Sequence, residues 1–454
     1  MSETNVPVQE NKMGTMPVPT LLVNMSVPLM LSLLAQSLYN IVDGIFVARI
    51  SESALTATTL AYPVQFLMVA VSTGTGAGIS ALLSRLLGEK KRDQACRCAT
   101  AGLVLSLLSS VVFIILGIFA VEAYVGWFAP DAGTAEMCVI YLRICMILCS
   151  GTFIEVVFQR FLQAAGRTFL SMVSLVVGVV INIVLDPILI FGLLGLPEMG
   201  ISGAAYATVI GQWGGGICAL LLNYFKNNEI RFVFRSFRFE KYMFKEIYKV
   251  GFPTMIMQSM ASIMNAVMNA ILISFSSTAV AFFGVYFKLQ NFLFMPMNGI
   301  GQALLPIVGY NYGSRNKGRL AQVLKLAVPA AVCIALIGTA LFCIIPKYLL
   351  LMFSASDEML ALGIPALRII SVSFSLGAVT LILGYYASGL GNGIINMLGT
   401  SLRQVIILLP AFLLLANTVG LEHSWYAFWI SEAAALICAV IMFVHTYKKK
   451  TSSL

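Results

Sequence analysis

The stretch that decides how this chain folds is residues 21–47, LLVNMSVPLM-LSLLAQSLYN-IVDGIFV. A bilayer-spanning helix needs about 20 predominantly apolar residues, and this run exceeds that. It is too long for a signal-peptide core and lacks a basic leader, so it reads as a retained first span. Within it stand Gln36, Tyr39, Asn40 and Asp43, spaced i, i+3, i+4 and i+7. On a helix of 3.6 residues per turn that spacing places all four on one face. An ionisable group inside a bilayer is costly and normally faces a wet or protein-lined interior. The pattern therefore predicts a polar cavity holding a carboxylate, with the rest of the chain arranged around it.

The composition agrees. Of 454 residues, 59% are hydrophobic and only 10% charged, against about 25% charged in soluble domains. Mean hydropathy is +0.92. This is the composition of a polytopic membrane protein. The nine cysteines form no CxxC pair and no Cys/His cluster, so neither a disulfide framework nor a metal site is expected.

Twelve apolar spans can be drawn, at about 21–48, 55–86, 96–121, 134–161, 169–193, 201–224, 248–275, 280–313, 320–343, 358–388, 396–418 and 423–447. Lysine and arginine orient them. With the N-terminus inside, the inner loops carry Arg85, Lys90, Lys91, Arg92 and Arg97, then Arg160 and Arg167, then seven basic residues between Lys226 and Lys249. Arg315, Lys317, Arg319, Lys325, Arg403 and Lys448 to Lys450 follow, whereas the outer loops hold only Arg49 and Lys347. Both termini are thus expected inside. The net charge of +9 is explained by topology and needs no nucleic-acid partner.

The organisation expected is an N-terminal tail (1–20), a first lobe (21–224), an inner linker (225–247), a second lobe (248–447) and a basic tail (448–454). The lobes repeat. At an offset of 225, Pro28 meets Pro253, Asn40 meets Asn265, Gln65 meets Gln290, Gly88 meets Gly313, Arg143 meets Arg368 and Gly166 meets Gly391; later the offset becomes 220, bringing Gln212 to Glu432. Six spans per repeat insert both copies the same way round, a transporter architecture with the substrate site between halves.

Few ionisable residues fall within the spans: Asp43, Arg143, Glu155 and Asp186 in the first half, Lys288, Arg368 and Glu432 in the second. Asp43 and Asp186 are each roughly 10 Å from the outer boundary at 1.5 Å rise per residue. Asn182 lies one turn before Asp186, and Pro187 frees a backbone carbonyl there. Such an oxygen-rich pocket suits Na⁺, or a proton shared by two close carboxylates. Glu155, with Gln159 and Gln163 after it, offers a second protonation point, a contact for a drug cation, or a polar vestibule wall. Arg143 and Arg368 are assigned structural or gating contacts, and Lys288 and Glu432 an ion pair with each other. In span 7, Met257, Met260, Met264 and Met268 form a stripe, read either as packing or as an adaptable wall for apolar ligands, with Met257 and Met264 its candidate contacts. No GxxxxGK[ST] loop, HExxH or partnered GxSxG occurs, which leaves an ion gradient as the energy source.

With those residues in view the chain resembles the MATE (multidrug and toxic compound extrusion) family, in its bacterial DinF/MepA-type branch. The resemblance rests on Pro28 with Gln36–Asp43, Ala61-Tyr-Pro63, Gly88-Glu-Lys-Lys, Gln163-Ala-Ala-Gly166-Arg167 and Asn182-Ile-Val-Leu-Asp186-Pro187, in order over the whole chain. It implies an all-α integral membrane protein with twelve helices in two six-helix lobes forming a V, and H⁺- or Na⁺-coupled export of organic cations with no other cofactor. By motif match Asp43, Asn182 and Asp186 would form the cation site, completed by a hydroxyl from span 6, Ser202 or Thr208. Gln36, Tyr39, Asn40, Glu155 and Gln159 would line the substrate cavity. The acids that other branches carry in spans 7, 8 or 10 are missing here. A monomer in the inner membrane, acting on cationic or amphipathic drugs, is expected.

Two rivals make different demands. A flippase for a lipid-linked or other amphiphilic metabolite predicts a strongly cationic central cavity. An intramembrane prenyl transferase needs acidic inner-loop motifs to hold Mg²⁺-diphosphate, where this chain is basic.

Overall fold

The computed structural model describes residues 11–129, 131–232, 240–452 and 454, and their regular structure is helical. Ten helices are long and apolar enough to cross a membrane, and two bent pairs make up twelve spans. The first lobe comprises α1 (Val18–Ala48), α2 (Glu52–Gly88), α3 (Arg92–Phe119), the bent pair α4 (Ala132–Ile147 and Ser150–Ala164), α5 (Thr168–Phe191) and α6 (Gly200–Lys226). The second comprises α7 (Lys241–Ile273), α8 (Ser277–Gly313), α9 (Lys317–Ile344), the bent pair α10 (Asp357–Ser371 and Phe374–Gly389), α11 (Ile394–Thr418) and α12 (Leu421–Thr451).

The repeat extends to the punctuation. Ser51 caps α2 by accepting from the Ala54 amide at 3.0 Å, and its mate Ser276 caps α8 from Thr278 at 3.1 Å. Asp131 caps α4 from Thr134 at 2.8 Å, and its mate Ser356 caps α10 from Met359 at 3.2 Å. Each cap satisfies an amide that the first helical turn leaves free. Spans four and ten, drawn as continuous from the sequence, are broken at matching places, bending by 45° and 47°. At the second break Ser371 and Ser373 hydroxyls bond their own helix at the carbonyls of Arg368 and Ile370, a common source of bending.

The lobes meet through the halves of their helices nearest the basic loops, and the contacts are reciprocal. A Cβ at Gly88 would stand 2.0 Å from the Tyr310 carbonyl oxygen; one at Gly313 would stand 2.1 Å from that of Arg85. A Cβ at Gly74 would stand 2.4 Å from Met255 Cγ, and one at Gly299 would stand 2.5 Å from Met30 Cγ. Each second pair is the first shifted by 225 residues, so a pseudo-twofold axis runs through this interface. Ser84 and Gly309, themselves repeat mates, touch on it. The apolar core divides accordingly. One cluster runs through the second lobe and the basic-end half of the first; a separate one, with Val47, Ala54, Met68, Cys138 and Phe153, fills the far end of the first lobe.

A short N-terminal segment straps the two lobes together. Asn11 Nδ2 donates to Glu229 at 2.9 and 2.8 Å and to the Ala165 carbonyl at 3.2 Å, all in the first lobe and its linker. Two residues later the Met13 carbonyl accepts from Asn311 and Arg319 of the second lobe, at 3.2 and 3.0 Å.

Several boundaries and placements shift from the sequence reading. A short helix forms over Lys12–Thr15 and the first span already begins at Val18, and helix resumes at Lys241, so the ends of the tail and of the linker are structured; residues 233–239 of that linker lie outside the described residues. Lys448 to Lys450 form the last turn of α12. Arg160 and Arg403 are not loop residues. Arg160 lies in the second segment of α4 and reaches Gln302 of the other lobe at 3.3 Å. Arg403 sits mid-span in a π-helical turn of α11, Leu402–Ile406. Glu432 pairs with Arg403, Nε to Oε1 3.4 Å, and not with Lys288, whose ammonium lies 5.9 Å over the Phe353 ring. Depth alone suggested the rejected pair; helix rotation turns Lys288 outward.

Candidate functional site in the first lobe

The tightest packing in this lobe is between α5 and α6, and small residues permit it. A Cβ at Gly211 would lie 2.8 Å from the Gly178 carbonyl oxygen and 2.9 Å from Asn182 Cβ. On α5 the buried residues Ser171, Ser174, Gly178, Asn182 and Asp186 recur every three or four positions. That spacing makes one polar stripe facing inward.

At the end of the stripe away from the basic loops, Asp186 is fully buried and Asn182 nearly so. α1 brings Asp43 beside Asp186, and Tyr39 beside both and against Thr208 of α6. Thr208 also takes the Asn182 amide at 3.5 Å. Ser202, the other hydroxyl considered, donates to the Met199 carbonyl at 2.7 Å. Both oxygens of Asp186, Oδ1 of Asp43 and Oδ1 of Asn182 are buried without a hydrogen-bond partner. Unpartnered buried oxygens are rare because each forfeits its solvation. Neither carboxylate has a lysine or arginine within ion-pair distance among the described residues. Four carboxylate and amide oxygens thus lie buried in this part of the lobe with no partner among the described residues.

A second polar group lies nearer the basic end. Gln159 Nε2 donates to Glu155 at 3.0 Å, and the Glu155 carboxylate occupies room left by Gly215, whose Cβ would come within 2.6 Å. Thr152 donates to Gln212 at 2.6 Å, and Gln163 to Ser171 at 2.9 Å.

The four polar residues of α1 divide. Tyr39 and Asp43 are partly buried against α5 and α6, whereas Gln36 and Asn40 are exposed. In the methionine stripe Met264 is 3% exposed within the apolar core, while Met257 is half-buried. Arg143 pairs with Glu122 at 2.7 Å, and Arg368 donates to the Cys343 carbonyl at 3.3 Å. Tyr141, Cys145 and Gln65 also border the Asp43 pocket and went unnoticed as site residues in the sequence. Tyr141 and Cys145 are i, i+4 on α4, but among so many apolar neighbours that spacing carries no contrast.

The MatE family model matches residues 28–188 and again 253–413, two matches 225 residues apart at both ends. The chain belongs to the MatE family. It is therefore a multi-pass membrane protein and a secondary transporter rather than an enzyme. Among curated proteins, this MatE chain is similar to the multidrug export protein MepA of Staphylococcus haemolyticus (strain JCSC1435). The two are 24% identical over 427 residues, 93% of this chain and 92% of that one. MepA of Staphylococcus aureus (strain MRSA252) is 22% identical over 430 residues, 94% and 93% of the two chains. Among solved structures, an outward-facing multidrug resistance MATE family transporter of the MOP superfamily superposes with a TM-score of 0.89. It is 24% identical, with 100% of this chain and 99% of that one covered. A MOP superfamily transporter from Pyrococcus furiosus, whose reversed pocket polarity suggests a different function, gives a TM-score of 0.87 at 24% identity. The coverage there is again 100% and 99%.

Proposed function

We propose that this MatE protein is an antiporter that exports organic cations and other amphipathic compounds in exchange for H⁺ or Na⁺. The observation that carries the reading is the set of unpartnered oxygens of Asp43, Asn182 and Asp186. A membrane protein keeps two acids together without a counter-charge only where a cation comes and goes. The MepA relatives, multidrug exporters by name, agree with this reading. Tyr39 and Thr208 complete the cation site, and Gln36, Asn40, Glu155, Gln159 and Met257 contact the drug.

The basic loops face the cytoplasm on this reading, so the lobes are closed toward the cytoplasm. A cation arriving from outside binds Asp43 and Asp186 and lowers affinity for the drug, and the drug does the reverse. Exchange requires that the two ligands prefer different states. A flippase of an anionic lipid-linked metabolite would need positive charge in this pocket, and among the described residues no basic side chain pairs with its acids.

The test is transport of ethidium in proteoliposomes under an imposed Na⁺ or pH gradient. Asp43→Asn should elute as the folded protein yet lose gradient-driven efflux. Transport at the full wild-type rate in that variant would remove the proposed role.

A further inference from the structure

The second lobe has a polar cluster of its own, far from Asp43 and Asp186. Glu432 of α12 and Arg403 of α11 are nearly buried, with side chains 8% and 10% exposed. Their single contact is 3.4 Å long, and Arg403 Nη1 reaches the Gly377 carbonyl of α10 at only 3.5 Å. Phe294 of α8 lies under the guanidinium, 5.3 Å from its centre. A buried pair meant only as a lock would be short and bidentate, because that geometry is what offsets desolvation. This one is neither.

Around it polar atoms are left over. Glu432 Oε2 and the nearby Tyr286 hydroxyl are buried without hydrogen-bond partners, and Tyr286 is fully buried. As a carboxylate oxygen Glu432 Oε2 can only accept, and it stands free to take a proton. The site also looks built. A Cβ at Gly377 would sit 3.0 and 3.1 Å from the two Glu432 oxygens. In the first repeat the mates of Gly377 and Glu432 are Thr152 and Gln212, which bond each other at 2.6 Å. The second repeat exchanges a neutral pair for a carboxylate in cleared space. The π-helical turn that carries Arg403 and Gln404 is a local irregularity of a kind frequent at functional sites.

We propose that Glu432 is a proton-binding carboxyl of the second lobe, taking its proton on Oε2 and letting go of Arg403. The new O–H donates to the Tyr286 hydroxyl oxygen beside it. No covalent bond breaks in the protein, and the cluster goes from neutral to a charge of plus one on Arg403. Among the described residues, the other ionisable groups facing it are Arg403 and Tyr286, and α7 from Pro253 to Ile273 contains none. The site is separate from the first-lobe pocket, so its failure leaves that reading standing.

Infrared difference spectra of the whole protein in lipid, acid minus alkaline, read carboxyl protonation directly. Asp43→Asn/Asp186→Asn should retain a protonated-carboxyl C=O band that Arg403→Gln/Glu432→Gln loses. The neutral double variant is used because Glu432→Gln alone strands a buried arginine. Glu432→Asp, which keeps the charge, should shift the band. Identical spectra for wild type and Arg403→Gln/Glu432→Gln would overturn the proposal, as would a change in this band evoked by Na⁺ at fixed pH in the Asp43→Asn/Asp186→Asn protein.

Discussion

The reciprocal glycine contacts give a sharp test of how the lobes are held. At Gly88 an added Cβ would meet the Tyr310 carbonyl oxygen at 2.0 Å and its carbon at 2.9 Å. Both opposing atoms are backbone, so no side chain can swing away; the lobes themselves must part by more than an ångström. Overpacking of this kind costs about 1–3 kcal/mol, which corresponds to a 5–150-fold change in an equilibrium between two states. Gly88→Val should therefore deplete the form closed at the basic end by about that factor. The assay is the distance between spin labels at Ser53 and Ser277, exposed at the far ends of α2 and α8, with exposed Cys333 replaced. The long-distance population should shrink and shorter distances appear. Gly313→Val should do the same, because its contact is the symmetric mate. Gly44→Ala, where nothing lies within 4 Å, is the control. A folded Gly88→Val protein with the wild-type distance distribution would refute the argument that this crossing sets the closed state.

Two further outcomes follow from particular side chains. Met264→Ala should lower thermal stability, by about 2–5 kcal/mol for a buried methionine, without changing which drugs are carried. Met257→Ala should alter drug preference more than stability, and a drug-specific defect in Met264→Ala would reverse that assignment. Burial holds the Glu229 carboxyl above the usual glutamate range, although Asn11, Arg167 and Arg92 pull the other way. The folded protein then keeps that proton to higher pH than the unfolded chain. This contribution is fully present below about pH 4.3 and is lost as pH rises through the folded value. Glu229→Gln should flatten the fall in melting midpoint above that pH, and an unchanged slope would show that the group does not contribute.

What the sequence determined by itself was whatever is encoded locally or by repetition. Apolar length counted the spans, because a bilayer demands a fixed number of residues to cross it. The offset of 225 exposed the doubled lobe, and polar residues at helical spacing, each set ending in an acid (Asp43 on α1, Asp186 on α5), pointed to a pocket before any packing was known. Partners distant in the chain were decided only by tertiary structure. Lys288 and Glu432 share a depth, yet Glu432 pairs with Arg403, which sequence placed in a loop because lysine and arginine so often mark one. Thr208 rather than Ser202 faces Asn182, and Gln36 and Asn40 part company with Tyr39 and Asp43 on the same helix. Each of these turns on the rotation of a helix about its own axis and on which neighbour covers it. That rotation is fixed by close contacts such as Gly178 on Gly211 and Gly88 on Tyr310, between residues that nothing in the linear order brings together.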